Sequence, residues 1–507
     1  MIFIGPNLND MNAHFVTNVI DSIGAGADKD LILDILEIKS KSDIVIKIRS
    51  HLKNQDEKYI IYNAKEDEDF FFVIKKEFPE LKLLMFFSDD EWRHSNYDRY
   101  LALFSDCFTI AVKSNLDKYN SYGMGNVFYM RWGCNPKKFY PVVSEKKYDV
   151  TFVGAAYGKR VEYVRYLLNN QIDIHVFGRG WDKYKDLAHV YGGCPDNYEM
   201  LEIIGQSKIN LNFIWTSRCP NETTIKGRSL ELAACNAFQL SNYTNEFVNY
   251  GFVEDENIAV FTDEASMLNK VKYYLGHERE MRIISESSFN HVTSLLTWEQ
   301  LFNSFFKFMK EQPAMNLKKF KVLVINENKV DHNITREDER IEFVFIDNKD
   351  QVNSKCYDGV IELSRNSTID NNAIYMMIFG LSVDESDLIL SNFYIKSKAG
   401  LRWIRFKEKH LQSFVLSLLV PGEAMMLSGK YYSNMKKQHK GKISASYIEY
   451  PVAVIETGYI RSRLLRLHYG FVREFKKKFI ENLNKRKYAF LTGLTFDKLW
   501  QEIINKK

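Results

Sequence analysis

The sequence has few cysteines and no arrangement of them that indicates a disulfide scaffold or a zinc module. Its six cysteines include no CxxC pair, and none lies beside a histidine at metal-ligand spacing. Scattered thiols of this kind are typical of reduced, buried side chains in a cytosolic protein. The formal net charge is only +4 over 507 residues, so the charge balance gives no indication of a nucleic-acid partner.

Targeting and membrane-spanning segments are also lacking. The amino terminus, MIFIGPNLND, has neither the basic nor the apolar region of a signal peptide. The most apolar stretch, residues 414–427, is interrupted by Pro421, Gly422 and Glu423 and is too short to span a bilayer. We therefore expect a soluble cytoplasmic protein that contacts a membrane at most from its inner face.

What the sequence does have is ample material for buried cores, with 45% hydrophobic and 14% aromatic residues. Short apolar runs alternate with amphipathic segments, which predicts α/β units with parallel sheets. Strands are predicted at Asp43–Ile48, Lys58–Tyr62 and Lys82–Phe87, and a linker with two prolines at residues 135–150. A second βα series follows. The predicted domains are 1–142 and 143–312, both Rossmann-like and facing a cleft, and a further α/β domain at 313–507.

Loop 154–160 follows a predicted strand and opens a predicted helix. Gly154 and Gly158 allow close backbone approach, and Lys159 and Arg160 add cations, which suits a pyrophosphate. A glycine turn before a helix is only a weak indication of phosphate binding, and the alternative is an ordinary βα turn.

The segment 225–243 is more informative. Lys226 and Arg228, at the start of a helix, can neutralise a diphosphate leaving group as a metal ion does elsewhere. Glu231, one turn further, can accept hydrogen bonds from two ribose hydroxyls. The alternative is a helix with a capping carboxylate and solvated bases.

A carboxylate or histidine of the first half is needed if the reaction inverts, because the acceptor hydroxyl must lose its proton. Asp89 and Asp90 follow a predicted strand and face the expected cleft, with Arg93 as the partner that orients them; His14 is a third candidate. The alternative is that Asp89 caps the next helix and Asp90 shapes the fold.

Several stretches in order resemble the CgeB-like group of glycosyltransferases, among them YDVTFVGAAYGKRVEYVRYLL, IHVFGRGW and IKGRSLELAACNAFQLSNYTNEF, with LLMFFSDDEWRHSNYDRYLALF upstream. The resemblance covers roughly the first three-fifths of the chain. It implies a GT-B fold, a nucleotide-sugar donor held mainly by the second half, and no metal or other cofactor. In that pattern Glu231 binds the donor ribose. The implied donor-binding set is Gly154, Tyr157, Gly158, Lys159, Arg160, Gly178, Arg179, Lys226, Arg228 and Glu231.

One position departs from the pattern of many retaining GT-B enzymes. The glutamate expected eight residues before Glu231 is replaced by Thr223, with Glu222 adjacent. The donor sugar and the stereochemical outcome therefore stay open.

The third unit faintly resembles a family 2 GT-A transferase that has lost its metal site. The place of the acidic DxD motif reads Leu363-Ser364-Arg365-Asn366-Ser367, which cannot form a carboxylate cage. The basic segment Arg461–Lys487 is expected either to lie on an anionic membrane or to pack on its own domain.

These observations together predict transfer of a sugar from a nucleoside diphosphate to an acceptor hydroxyl on a surface polysaccharide, a lipid-linked glycan or a protein. Two alternatives stay open: a non-catalytic glycan- or nucleotide-binding protein on a decayed transferase fold, and a GT-B nucleotide-sugar epimerase. No nucleic-acid partner is expected, and the sequence does not indicate an oligomeric state.

Overall fold

The chain of this computed structural model divides into two units. Unit 1 comprises residues 1–92, 105–120 and 125–314, and unit 2 comprises residues 93–104, 121–124 and 315–507. The structure describes residues 1–6, 8, 19–21, 30–38, 40–63, 70–215, 223–311, 315, 317–326, 334, 338–347, 357–363, 367–369 and 371–385, and beyond these the backbone of the strands named below. His14 and the basic segment Arg461–Lys487 lie outside the described residues.

The first half of unit 1 is a six-stranded parallel sheet in the order β2-β1-β3-β4-β5-β6. Its strands are β1 (Ile2–Gly5), β2 (Leu31–Asp34), β3 (Tyr59–Tyr62), β4 (Lys82–Phe86), β5 (Cys107–Ile110) and β6 (Val127–Tyr129). Its helices are α1 (Lys41–Leu52), α2 (Phe70–Glu77), α3 (Asp90–Arg93) and α5 (Ser114–Ser121). Helix α4 (Arg99–Ala102) lies between β4 and β5 in sequence but belongs to unit 2.

The predicted strand at Asp43–Ile48 is wrong, because these residues lie in α1. Ser40 caps the helix by accepting a hydrogen bond from the Asp43 amide, and Ile44, Val45 and Ile48 form one buried face. Positions i, i+1 and i+4 fall together on a helix, so the apolar spacing suits α1 although β-branched residues favour strands.

The second half is a five-stranded parallel sheet in the order β11-β10-β9-β7-β8. Its strands are β7 (Tyr148–Val153), β8 (Ile174–Phe177), β9 (Ser207–Asn212), β10 (Gln239–Asn242) and β11 (Ala259–Phe261). Its helices are α6 (Arg160–Asn169), α7 (Asn197–Gln206), α8 (Gly227–Ala234), α9 (Glu246–Tyr250), α10 (Glu264–Leu275) and α11 (Glu278–Leu295). A Rossmann-like parallel sheet in each half confirms the predicted α/β fold class.

The last helix of unit 1, α12 (Trp298–Lys310), packs on the first half although it follows the second in sequence. Its buried face is aromatic: Phe302 stacks on Phe86 with ring centroids 6.1 Å apart, and Phe305 lies 5.3 Å from Phe128. A capping box at Thr297 begins the helix. The predicted second domain, 143–312, therefore contains a helix that belongs to the core of the first half.

Unit 2 has a mixed sheet. Strands β12 (Phe320–Ile325), β13 (Ile341–Ile346) and β14 (Gly359–Glu362) are parallel, and β18 (Met425–Ser428) runs antiparallel to β14. Its other elements are β15 (Ser367–Thr368), α13 (Asn371–Val383), β16 (Leu388–Ser397), β17 (Gly400–Arg405), β19 (Ala445–Glu456) and β20 (Leu494–Thr495). An α/β unit is therefore present here, but residues 364–366 of the degenerate DxD position lie outside the described residues.

Within the described part of the chain, no helix is both long and apolar enough to cross a membrane.

Replacing Phe302 by alanine is expected to lower the free energy of unfolding by about 3–5 kcal/mol, because the truncation leaves a cavity in the aromatic core under α12. Urea denaturation followed by tryptophan fluorescence measures the change. Tyr198→Ala, on a side chain that is 64% exposed, is the control and should shift stability by less than about 0.5 kcal/mol. Equal effects of the two substitutions would contradict the packing of α12.

Candidate functional site

A cavity of about 320 Å³ lies in unit 1 where loops after β4, β7 and β9 meet the start of α8. Both halves contribute to its wall, as expected for the carboxyl ends of strands in open α/β sheets. The lining residues are Asp89, Glu91, Trp92, Phe152, Val153, Gly154, Tyr157, Arg160, Asn212, Phe213, Ile214, Trp215, Lys226 and Arg228.

Lys226 joins the two halves across this cavity. It precedes α8, and its Nζ donates to Glu91 Oε1 at 2.7 Å and to Asp89 Oδ1 at 3.3 Å. Burial alone would lower the pKa of Lys226, but the charges of Glu91 and Asp89 outweigh burial and raise it above its ordinary value. Lys226 is therefore a fixed cation in the cleft, as the sequence predicts, but it is already paired with two carboxylates.

Glu91 is a site residue that the sequence analysis missed. Its side chain is 5% exposed and contributes to the cavity wall. Oε1 accepts from Lys226, whereas Oε2 meets no hydrogen-bond donor among the described residues. The available signal was the run Asp89-Asp90-Glu91, in which all three carboxylates follow the end of β4.

Asp90 does not face the cleft, and its prediction as a catalytic base is wrong. Its carboxylate is fully buried and accepts hydrogen bonds from the amides of Ala111 and Val112, at 2.8 and 3.2 Å, and from Asn115 Nδ2 at 2.9 Å. These bonds tie the end of β4 to the start of α5, so Asp90 stabilises the fold. Arg93, expected beside this pair, lies in unit 2, where its Nε donates to Asp98 at 2.9 Å.

Asp89 stays a candidate. It lines the cavity, is 36% exposed and shares Lys226 with Glu91.

Arg228 and Glu231 form an ion pair on the first turn of α8, with Arg228 Nη1 3.0 Å from Glu231 Oε2. The (i, i+3) spacing places both side chains on one helix face. Arg228 lines the cavity, while the Glu231 carboxylate is buried behind it. The structure thus brings Lys226, Arg228 and Glu231 together at the beginning of one helix.

Arg160 enters the cavity wall from the start of α6. Its Nη1 and Nη2 donate to the carbonyls of Ala155 at 3.0 Å and Phe213 at 2.6 Å, and its guanidinium lies 3.7 Å from the Tyr157 ring centroid. Burial, with the nearby charge of Arg228, lowers the pKa of Arg160 to about 10. The side chain is only 9% exposed, and Nε meets no acceptor among the described residues. The Tyr157 hydroxyl donates to the Trp215 carbonyl at 3.1 Å.

The amide of Gly154, in the predicted phosphate loop, is already hydrogen-bonded within the sheet. The Gly154 amide donates to the Phe177 carbonyl at 2.8 Å, so it is not available to a phosphate as predicted. Gly178 has φ +121°, and a Cβ there would approach the Gly154 oxygen to 2.6 Å. Gly158 has φ +55°. Lys159 and Arg179 are exposed, and neither contributes to the cavity wall.

Glu246 fixes the loop that leads to Lys226. Its Oε2 accepts from Thr224 Oγ1 and from the Ile225 amide, both at 2.9 Å. Burial raises the pKa of Glu246 above its ordinary range, although these two hydrogen bonds lower it in part. Thr223, where the second glutamate was expected, pairs with Trp215 through a backbone bridge, and Glu222 lies outside the described residues.

Two parallel Rossmann-like sheets that face a cation-lined cleft define the GT-B type of architecture. Residues 158–306 match the family model described as "Glycosyl transferase-like", so the second half is a glycosyl transferase-like segment. The chain is also 20% identical over 205 residues to the spore protein CgeB of Bacillus subtilis (strain 168), a match that covers 36% of this chain and 61% of CgeB. The CgeB-like resemblance is thereby confirmed, and the chain spans about three-fifths of that curated relative.

Solved structures give two further similarities. HepE of Anabaena in complex with UDP matches with a TM-score of 0.47 at 9% identity, covering 61% of this chain and 99% of HepE. A sucrose-phosphate synthase of Thermosynechococcus elongatus matches with a TM-score of 0.40 at 11% identity, covering 55% of this chain and 80% of the synthase. Both TM-scores lie below 0.5, so neither similarity assigns a substrate or a mechanism.

Substituting Asp90 by alanine is expected to lower the free energy of unfolding by about 2–4 kcal/mol, because buried amides of Ala111 and Val112 lose their acceptor. Asp89→Ala removes a half-exposed carboxylate and should cost less than about 1 kcal/mol. Chemical denaturation of both variants measures the difference. Equal stabilities would contradict the structural role assigned to Asp90.

Proposed function

We propose that unit 1 binds a nucleoside diphosphate sugar in this cleft and transfers the sugar to an acceptor hydroxyl without a metal ion. The donor's diphosphate lies against Arg160, Arg228 and Lys226. Glu231, which the sequence predicts to bind the ribose, is buried behind Arg228 and holds that side chain in place. The acceptor approaches from the first half, where Asp89 and Glu91 lie. It is a hydroxyl of a surface polysaccharide, a lipid-linked glycan or a protein.

The observation that carries this proposal is the buried guanidinium of Arg160. Its hydrogen-bond partners are two carbonyls, which carry no formal charge, and its lowered pKa reflects the cost of burial beside Arg228. A multivalent anion in the cavity offsets that cost, because guanidinium groups form strong charge-assisted hydrogen bonds to phosphate. The cavity of about 320 Å³ is of the size that small-molecule sites have.

The family match supports the same assignment independently of the charges. The matched segment, residues 158–306, contains Arg160, Lys226, Arg228 and Glu231, so the proposed donor side falls within the glycosyl transferase-like part of the chain. Fixed cations replace the metal ion in this proposal. They stabilise the negative charge that develops on the leaving diphosphate as its bond to the sugar breaks.

Closure of the two halves gives the cleft a way to exclude water, which otherwise hydrolyses the donor. Lys226 already contacts carboxylates of the opposite half.

Arg228→Met is expected to weaken binding of nucleoside diphosphates by about 10-fold to 100-fold, the loss that follows from one charged hydrogen-bond partner. Titration calorimetry measures the affinity, after a thermal-shift screen has found the preferred base. Arg165→Met is the matched control, because Arg165 pairs with Asp186 on the exposed surface of the same half. Unchanged affinity in Arg228→Met would remove the donor-site assignment.

Turnover should not depend on a divalent cation, because arginine and lysine side chains carry the diphosphate. Release of nucleoside diphosphate from the donor, with and without acceptor, is measured after dialysis against EDTA and again with magnesium restored. Rates within about twofold are expected. A loss of more than about tenfold, reversed by magnesium, would contradict the proposal.

A further inference from the structure

Under the proposed function, Lys226 is shared by two sets of anions, and its single positive charge cannot neutralise both. In the structure its ammonium contacts Glu91 and Asp89, and under the proposed function the same ammonium contacts the donor's diphosphate. One positive charge offsets two carboxylates only in part, and a diphosphate brings at least two further negative charges. Donor binding therefore has to compete with the carboxylates of the first half.

We propose that Glu91 is a catalytic residue of the cleft: when the donor's diphosphate takes over Lys226, the Glu91 carboxylate is released to accept the proton of the attacking hydroxyl. This inference rests on the proposed function. It adds a residue that neither the sequence pattern nor the family match assigns, and it links donor binding to the availability of the base.

The geometry favours Glu91 over its two neighbours. The Asp90 carboxylate already accepts hydrogen bonds from the amides of Ala111 and Val112 and from the Asn115 side chain. Asp89 is 36% exposed and holds Lys226 at 3.3 Å, whereas Glu91 is 5% exposed and holds it at 2.7 Å. The Glu91 carboxylate thus loses more when Lys226 leaves, since little water is present to solvate it.

The second carboxylate oxygen of Glu91, Oε2, can accept a further hydrogen bond. Oε2 is buried and has no hydrogen-bond donor among the described residues, while the side chain belongs to the cavity wall. A buried carboxylate oxygen without a donor is costly, so a hydroxyl that enters the cavity gains a strong charge-assisted bond. An acceptor alcohol supplies such a hydroxyl.

The transfer step balances with Glu91 in this role. The acceptor oxygen forms a bond to the anomeric carbon as the bond from that carbon to the diphosphate oxygen breaks. The bonding electron pair leaves with the nucleoside diphosphate, next to Lys226 and Arg228. The hydroxyl proton goes to Glu91, which returns it to water when the products leave. A base that acts in a single displacement gives inversion at the anomeric carbon.

The variant Glu91→Gln distinguishes competition between Glu91 and the diphosphate for Lys226 from a purely structural role of Glu91. Neutralising Glu91 should tighten the binding of nucleoside diphosphate about threefold to tenfold, because Lys226 is then held by Asp89 alone, and should lower kcat for transfer at least 100-fold. A merely structural role predicts weaker binding. The matched control is Glu254→Gln, since Lys270 contacts Glu254 and Asp255 on the surface, 3.2 and 2.9 Å away, as Lys226 contacts its pair. The control should leave both quantities unchanged.

A double-mutant cycle with Lys226→Met tests whether the competition passes through the lysine. In the Lys226→Met background the further change Glu91→Gln should no longer tighten binding. The double variant also removes both members of this partly buried ion pair together, so a folding defect of the single variant does not leave the test undecided. Circular dichroism checks that each variant is folded.

The possible outcomes separate the two proposals. If wild-type protein binds no nucleoside diphosphate in the full panel, the proposed function fails. If it binds and Glu91→Gln weakens or does not change the affinity, competition for Lys226 is overturned while the donor site stands. If affinity rises but kcat for transfer stays within about threefold, Glu91 is not the base. Retention of the anomeric configuration in the product would also overturn the base role.

Discussion

The bridge from Lys226 to Glu91 and Asp89 is the interaction on which the organisation of the cleft depends. The lysine precedes α8 in the second half and the carboxylates follow β4 in the first, 135 and 137 residues away in sequence. Strand β4 ends, and helix α8 begins, beside the cavity, where the carboxyl ends of parallel strands leave polar side chains facing open space. The bridge therefore places opposite charges across the cavity that substrates would have to enter.

A second connection between the two halves is made by the backbone. The chain passes between the halves twice, and the two passages are hydrogen-bonded to each other: the Cys134 amide donates to the Leu296 carbonyl at 2.9 Å, and the Trp298 amide donates to the Cys134 carbonyl at 3.0 Å. Beyond this point α12 is fixed in the aromatic core of the first half. The two passages between the halves are therefore held together by backbone hydrogen bonds and by the packing of α12.

The sequence predicts the elements better than it predicts the site. The second half could be recognised because β7, its glycine loop and α6 follow one another with little interruption, and because Lys226, Arg228 and Glu231 lie within one helical turn and a half. Glu91 was missed although it follows Asp89 and Asp90, because the lysine that contacts it is 135 residues away in sequence. Asp90 was misassigned for the same reason: the amides of Ala111 and Val112, which bury it, come from the far side of the next strand. Helix α1 was misread because β-branched residues are common to strands and to buried helix faces.

Several buried charged groups, which lower the stability of the fold, lie around this cavity, and their distribution favours a binding site over a packing defect. The walls hold a buried arginine that donates to carbonyls, a lysine shared by two carboxylates, and a buried glutamate oxygen that meets no donor within the part of the chain that the structure describes. Apolar residues of similar size would pack such a wall at lower cost, because isolated buried charges lose hydration that ion pairs return only in part. Charges of opposite sign are also segregated, with cations from the second half facing carboxylates from the first. A donor that carries phosphates on the side of the cations and an acceptor hydroxyl on the side of the carboxylates together match that separation.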